Sequence, residues 1–134
     1  MAHFVLDSYA LLAFFRNEKG AEKVGQLLND AAADKHELYI TSINAGQVYY
    51  MSSRKDGTAK AELAWKAMHQ FPIHIIDPDL EFTLAATKLK AKYSISYADA
   101  FAAVLTIKRK ATLITGDNEF DALAGETGFK VKYL

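Results

Sequence analysis

The stretch Phe4-Val5-Leu6-Asp7-Ser8-Tyr9-Ala10-Leu11-Leu12 passes from a bulky apolar run, through a single acid, into residues of helical character. Short β-rich runs bounded by polar residues read as buried strands. The same succession recurs. Leu38-Tyr39-Ile40-Thr41 leads into Ser42, and Thr112-Leu113-Ile114-Thr115-Gly116-Asp117 leads into Asn118. Ile73-His74-Ile75-Ile76 is a further strand, and Lys130-Val131-Lys132-Tyr133 a weaker fifth at the edge. Between them, Ala98, Phe101, Ala102 and Leu105, and likewise Leu80, Leu84 and Leu89, carry helical spacing. Strands alternating with helices predict an α/β three-layer sandwich around a mainly parallel sheet of about five strands. Residues 42–71 hold two consecutive helices broken at Asp56-Gly57, so a helical hairpin is expected to project from the sandwich. Pro72 and Pro78 punctuate the third strand.

Composition narrows the field further. The 134 residues suit a single domain spanning 1–134, and 51% hydrophobic with 24% charged residues is the profile of a folded globule. Sixteen basic and sixteen acidic residues cancel, so no overall field draws the chain onto nucleic acid or an anionic membrane. Any such contact must use a local patch. Cysteine is absent, which removes disulfides, thiolate metal sites and cysteine nucleophiles. No basic stretch opens into an apolar leader, and no apolar run approaches the about 20 residues needed to span a bilayer. The expectation is a soluble, cytoplasmic protein that makes no membrane contact.

Four stations then stand out. Asp7 and Asp117 follow strands, Asp99 lies in Ser96-Tyr97-Ala98-Asp99-Ala100, and Gln47 lies in Ser42-Ile43-Asn44-Ala45-Gly46-Gln47. In open parallel sheets, ligands bind beyond the carboxyl ends of the strands, so these positions are expected on one rim. Helix capping accounts for each acid taken singly: Asp7 before Ser8–Phe15, Asp117 before Asn118–Ala124, and Ser96 with Asp99 as a capping box. Caps, however, need no common edge, and a carboxylate can cap and ligate at once. Gln47 alone reads as a boundary residue.

Carboxylates converging without histidine or cysteine suit a hard cation, Mg²⁺ or Mn²⁺. The four histidines, His3, His36, His69 and His74, are scattered, with His74 read as a sheet residue and the others as surface residues. There is no glycine-rich phosphate loop and no serine elbow. A magnesium–carboxylate cluster favours in-line phosphodiester hydrolysis. Ser8 and Thr115, small hydroxyls beside Asp7 and Asp117, are candidates to orient a carboxylate or a metal-held water, and Asn44 is counted with them as a supporting group.

In order, Val5-Leu6-Asp7-Ser8 with Ala10-Leu11-Leu12, Ser42-x-Asn44-x-Gly46-x-Val48-Tyr49-Tyr50, Ser96-Tyr97-x-Asp99-Ala100-Phe101-Ala102 and Thr115-Gly116-Asp117-x-x-Phe120 resemble the successive motifs of PIN-domain ribonucleases, in particular VapC-type toxins of toxin–antitoxin pairs. The resemblance covers essentially the whole chain. It implies a Mg²⁺- or Mn²⁺-dependent endoribonuclease, an RNA substrate, inhibition by a cognate antitoxin and a homodimer. It also implies Asp7 and Asp99 as principal metal ligands, with Asp117 supporting the metal or positioning water. Gln47 falls where the family has glutamate. Its amide can ligate but adds no negative charge and cannot act as a base. The alternative is a catalytically silent PIN-like module that binds RNA or an antitoxin. A phospho-receiver domain shares the size and the α/β pattern, but Ser8 stands where it would want a second acid.

Basic groups for RNA are Arg16, the first choice because it follows Asp7 closely, then Arg54-Lys55, the cluster Lys88, Lys90 and Lys92, and the cluster Lys108-Arg109-Lys110. Solvated helix faces account for these clusters equally well. Phe14 and Phe15 are expected in the core, and Tyr49, Tyr50 and Trp65 at an interface.

Overall fold

The computed structural model describes all 134 residues, Met1–Leu134. Five parallel strands form one sheet: β1 (Ala2–Leu6), β2 (His36–Thr41), β3 (Ile73–Ile76), β4 (Thr112–Thr115) and β5 (Val131–Tyr133), in the order β3-β2-β1-β4-β5. The helices are α1 (Ser8–Phe15), α2 (Ala21–Ala32), α3 (Ser42–Asp56), α4 (Thr58–Gln70), α5 (Leu80–Lys92) and α6 (Tyr97–Lys108). A short 3-10 helix, Asn118–Leu123, follows β4. The expected three-layer sandwich is therefore the observed one.

Side chains that alternate along the strands feed two cores. Val5, Tyr39 and Leu113 join Phe82, Phe101 and Leu105 beneath α5 and α6. Leu6, Leu38, Ile40 and Ile114 join Leu11, Val24, Val48 and Met68 beneath α1 to α4. Both faces of the central strands are thus dry, which is why these strands read as continuous apolar runs rather than alternating ones. The α3–α4 hairpin turns at Gly57, whose φ of 94° and ψ of 156° favour a residue without a Cβ. Its inner face contributes Ala45, Val48, Ala64 and Met68 to the second core, while Tyr50, Leu63 and Trp65 stay exposed. Tyr49 is half-buried and donates to Glu62. Phe14 and Phe15 are only half-buried and pack at the margin of that core against Phe71.

Two readings of local pattern change. In α5 the buried side is Phe82, Ala86 and Leu89, whereas Leu80 and Leu84 are 84% and 53% exposed. Phe82 stacks on Phe101, and the larger ring claims the face that leucine spacing suggested for its neighbours. His36 is buried rather than on the surface, because Nε2 hydrogen bonds with the carbonyl of Leu27. His74 does lie in a strand, where Nε2 pairs with Glu37 at 2.6 Å. No helix is long and apolar enough to cross a membrane.

Candidate metal centre

The chain moves outward from β1 through β2 to β3, then crosses back to place β4 and β5 on the other side of β1. Strand order therefore reverses between β1 and β4, the position where open α/β sheets leave a crevice at their carboxyl edge. Asp7 leaves β1 there, and Thr115, Gly116 and Asp117 leave β4. Asp99 reaches the same edge from the first turn of α6, and Gln47 from the second turn of α3. All four stations line one cleft of about 320 Å³, together with Ser8, Tyr9, Arg16, Glu18, Ser96 and Glu119.

The caps are real, and they aim the carboxylates. Asp7 Oδ1 accepts from the Ala10 amide at 2.9 Å, Asp117 Oδ1 accepts from the Glu119 amide at 2.9 Å, and Ser96 Oγ accepts from the Asp99 amide at 3.1 Å. Each bond fixes an acid at the start of a helical segment, where the unpaired amides favour negative charge. Capping and cation binding are thus compatible.

Asp7 is the most enclosed member, 2% exposed. Its second oxygen, Oδ2, accepts from Thr115 Oγ1 at 2.5 Å, and Thr115 Oγ1 accepts in turn from the Asp117 amide at 3.0 Å. One hydroxyl therefore ties the ends of β1 and β4 together. Burial pushes the Asp7 carboxyl up to about 7, opposed by the Thr115 and Ala10 hydrogen bonds and reinforced by Asp99 and Asp117. Asp99, 8% exposed, rises to about 6, chiefly through burial and then through Asp117 and Glu119, with the Ser96 hydroxyl opposing. Both shifts come first from burial, and the neighbouring acids add to them.

Asp99, Asp117 and Glu119 each bring a carboxylate oxygen within 4.8 Å of the others. Asp7 stands outside that tight group, although each of its oxygens, with one hydrogen bond, retains a free lone-pair direction. Glu119 was not anticipated. The available signal was an acid two residues past Asp117, in the first turn of the 3-10 helix. Every carboxylate in the cleft is an oxygen donor, and neither histidine nor cysteine lines it. The donor set therefore suits a hard divalent cation.

Asn44, wholly buried, organises the uncharged side. It accepts from Thr41 Oγ1 at 2.5 Å and donates to Gln47 Oε1 at 3.0 Å and to the Ala98 carbonyl at 3.2 Å. Gln47 is thereby held beside the start of α6, in the cleft that Asp99 also lines. Ser8 is buried at the cleft wall.

A sequence profile of the PIN domain matches residues 4–126. The chain belongs to the PIN-domain family. Among solved structures, this PIN fold is similar to VapBC from Rickettsia felis bound to a promoter DNA fragment, at 18% identity, TM-score 0.74 and 98% coverage of both chains. It is similar to a sarcin–ricin loop cleaving VapC toxin from Mycobacterium tuberculosis, at 16% identity, TM-score 0.73, covering 91% of this chain and 95% of that one. A member of the VapBC family of toxin–antitoxin systems from the same organism aligns over 100% of both chains at 15% identity and TM-score 0.68. No curated protein sequence matches the chain. At these identities the structural likeness is one of fold.

The PIN cleft holds Arg16 differently from a free basic flank. Its Nε pairs with Asp56 Oδ2 at 3.0 Å and Nη2 donates to the Met51 carbonyl at 3.4 Å, so Arg16 braces the end of α1 against α3. Lys108–Lys110 close the far end of α6, about 14 Å along the axis from Asp99 at the helical rise of about 1.5 Å per residue. Lys88, Lys90 and Lys92 close α5, whose Thr87 meets Tyr97 at the start of α6. That lysine cluster therefore lies toward the acidic end.

Replacing Thr115 tests the strut between the two acids. Thr115→Val keeps the shape but removes the proton given to Asp7 and leaves the Asp117 amide without its partner. Hydrogen bonds to charged groups contribute about 1.5–3 kcal/mol. Mn²⁺ affinity is expected to fall about tenfold, with its pH midpoint displaced upward because a bond holding the Asp7 carboxyl down is gone. Calorimetric titration across pH measures both.

Proposed function

We propose that this PIN domain, spanning residues 1–134, is a Mg²⁺- or Mn²⁺-dependent endoribonuclease and the toxin of a toxin–antitoxin pair. The observation that carries the reading is the convergence of Asp7, Gln47, Asp99 and Asp117 on one cleft at the switch point of the sheet. Asp7, Asp99 and Asp117 would hold the cation, with Glu119 beside them. When bound, the ion would activate water and neutralise charge developing at phosphorus. The chain's own part is to aim the carboxylates, whose ionisation the bound cation would favour. Thr115 and the Ala10 amide direct Asp7, Ser96 anchors the start of α6 that carries Asp99, and Asn44 fixes Gln47. Ser8 lines the cleft, Thr115 orients Asp7 from its buried position, and Arg16 would meet RNA only with the guanidinium nitrogen its brace leaves free. The VapBC likeness supports a cognate antitoxin as partner, and we assign a homodimer working in the cytoplasm on the same reading.

Gln47 supports a second reading, a silent PIN module that binds RNA or antitoxin without turnover. An RNase assay in Mn²⁺ and in EDTA compares the parent chain, Gln47→Glu and Asp7→Asn. Metal-dependent cutting by the parent chain supports the nuclease. Cutting only by Gln47→Glu supports the silent module, and no cutting above the Asp7→Asn background by either form refutes the enzyme.

A further inference from the structure

We infer that Tyr9 is the stacking platform for an unpaired base of the RNA substrate, fixing which phosphodiester lies over the carboxylate cleft. The inference rests on the ribonuclease reading above and adds to it the side chain that sets the register of cleavage.

Tyr9 occupies the first turn of α1, two residues past Asp7, and lines the cleft. It is 48% exposed and, unlike the similarly exposed Tyr50 and Tyr97, stands in the cleft itself. Its ring rests on the backbone of Gly116. A Cβ added to Gly116 would run into Cε1 of the ring, with Cδ1 and Cζ each at 2.7 Å. Only glycine lets the ring lie this close, and Gly116 directly precedes Asp117. The ring is thus held on one side by backbone at the lip of the acidic cleft, and its exposed side is turned away from that support. A held ring loses little rotamer freedom when a base stacks on it, which favours binding.

Charge explains why stacking is needed here. The cleft presents Asp7, Glu18, Asp99, Asp117 and Glu119 against one guanidinium, and that guanidinium is paired with Asp56. A phosphate backbone gains little from such walls beyond the cation itself. Base–aromatic stacking is indifferent to that charge and tolerant of sequence. It also requires a base free of its partner, because paired bases are already stacked inside the duplex. Tyr97 is similarly exposed at 47%, but it stands edge-on to Phe101 at 5.0 Å and does not line the cleft.

The test uses single-stranded RNA oligonucleotides, each with one abasic position, and Mn²⁺. Cleavage and binding are measured for the parent chain, Tyr9→Phe, Tyr9→Leu and Tyr9→Ala. One abasic position beside the cut is expected to lower kcat/KM of the parent chain and of Tyr9→Phe about tenfold, the size of one base–aromatic stack. Tyr9→Leu and Tyr9→Ala are expected to be about tenfold slower on intact RNA and indifferent to that abasic position. Leucine keeps apolar bulk over Gly116, so its loss of activity separates stacking from packing. Parent-like cleavage by Tyr9→Leu with an unchanged abasic profile overturns this inference and leaves the ribonuclease reading standing. If RNA is bound but not cut, the same comparison is read from binding. If RNA is neither cut nor bound, the ribonuclease reading fails and takes this inference with it.

Discussion

Asp7→Asn is expected to unfold at a higher temperature than the parent chain at pH 8 in EDTA, while losing any metal-dependent cleavage. The Asp7 carboxyl is 2% exposed and is pushed from 3.8 up to about 7, mainly by burial and further by Asp99 and Asp117. Between these values the folded chain keeps a proton that the unfolded chain has released, so stability falls as pH rises through about 4 to 7 and then levels off. At about 1.4 kcal/mol for each tenfold change in proton affinity, the ionised, metal-free fold carries a cost on the order of 4 kcal/mol from this residue. Asparagine removes that cost. Its carbonyl still accepts from the Ala10 amide and its NH₂ faces Thr115, although the Thr115 proton must then find another acceptor. A gain of about 5 °C in Tm is the expected net result at pH 8, shrinking toward pH 4. Millimolar Mn²⁺ should stabilise the parent chain far more than the variant, because a ligand that binds only the folded state raises its stability by mass action. A variant that melts at or below the parent chain in EDTA would remove Asp7 as a stored electrostatic cost.

Gln47→Glu is expected to tighten Mn²⁺ binding about 10- to 100-fold and to raise cleavage by a comparable factor. A unit charge about 5 Å from a divalent ion attracts it by about 6 to 7 kcal/mol at an effective dielectric of about 20, of which desolvation and repulsion by neighbouring acids leave only a part. The site is prepared for the exchange. Asn44 Nδ2 donates to Gln47 Oε1 at 3.0 Å, and a carboxylate oxygen accepts the same bond without rearrangement. The added acid should lower Tm in EDTA, opposite in sign to Asp7→Asn, because it joins Asp99, Asp117 and Glu119 in one cleft. Calorimetric Mn²⁺ titration and melting in EDTA measure the two effects together. Unchanged affinity and unchanged turnover would mean that the uncharged amide is not what limits this centre.

Much of this centre was legible because its parts are local. Asp7 follows Val5-Leu6 and Asp117 follows Ile114-Thr115-Gly116, so the strand-to-helix passages and their caps are written in adjacent residues. Asn44 could be placed in the motif, but not its bond to the Ala98 carbonyl, since Ala98 lies 54 residues away. Glu119 is not distinguished in the sequence because an acid in a helical first turn is commonplace, and only the packing of α6 against β4 brings it near Asp99. The place of Arg16 shortly after Asp7 suggests a basic flank for RNA but not the partner that holds it. Its partner Asp56 sits at the end of α3, a neighbour that no spacing reveals.

The sequence by itself determined the alternation of strands and helices, the capped acids that end the strands, and the order of the PIN motifs. These follow from side-chain size, β-branching and hydrogen bonds between residues a few positions apart. Only the tertiary structure decided that Asp7 is sealed under Thr115 with its carboxyl raised to about 7, that Glu119 completes the group with Asp99 and Asp117, and that Tyr9 rests on Gly116. The first and third depend on the order β3-β2-β1-β4-β5, which sets the ends of β1 and β4 side by side, and the second on the packing of α6 against β4. Burial and mutual repulsion are properties of that juxtaposition rather than of any segment of chain.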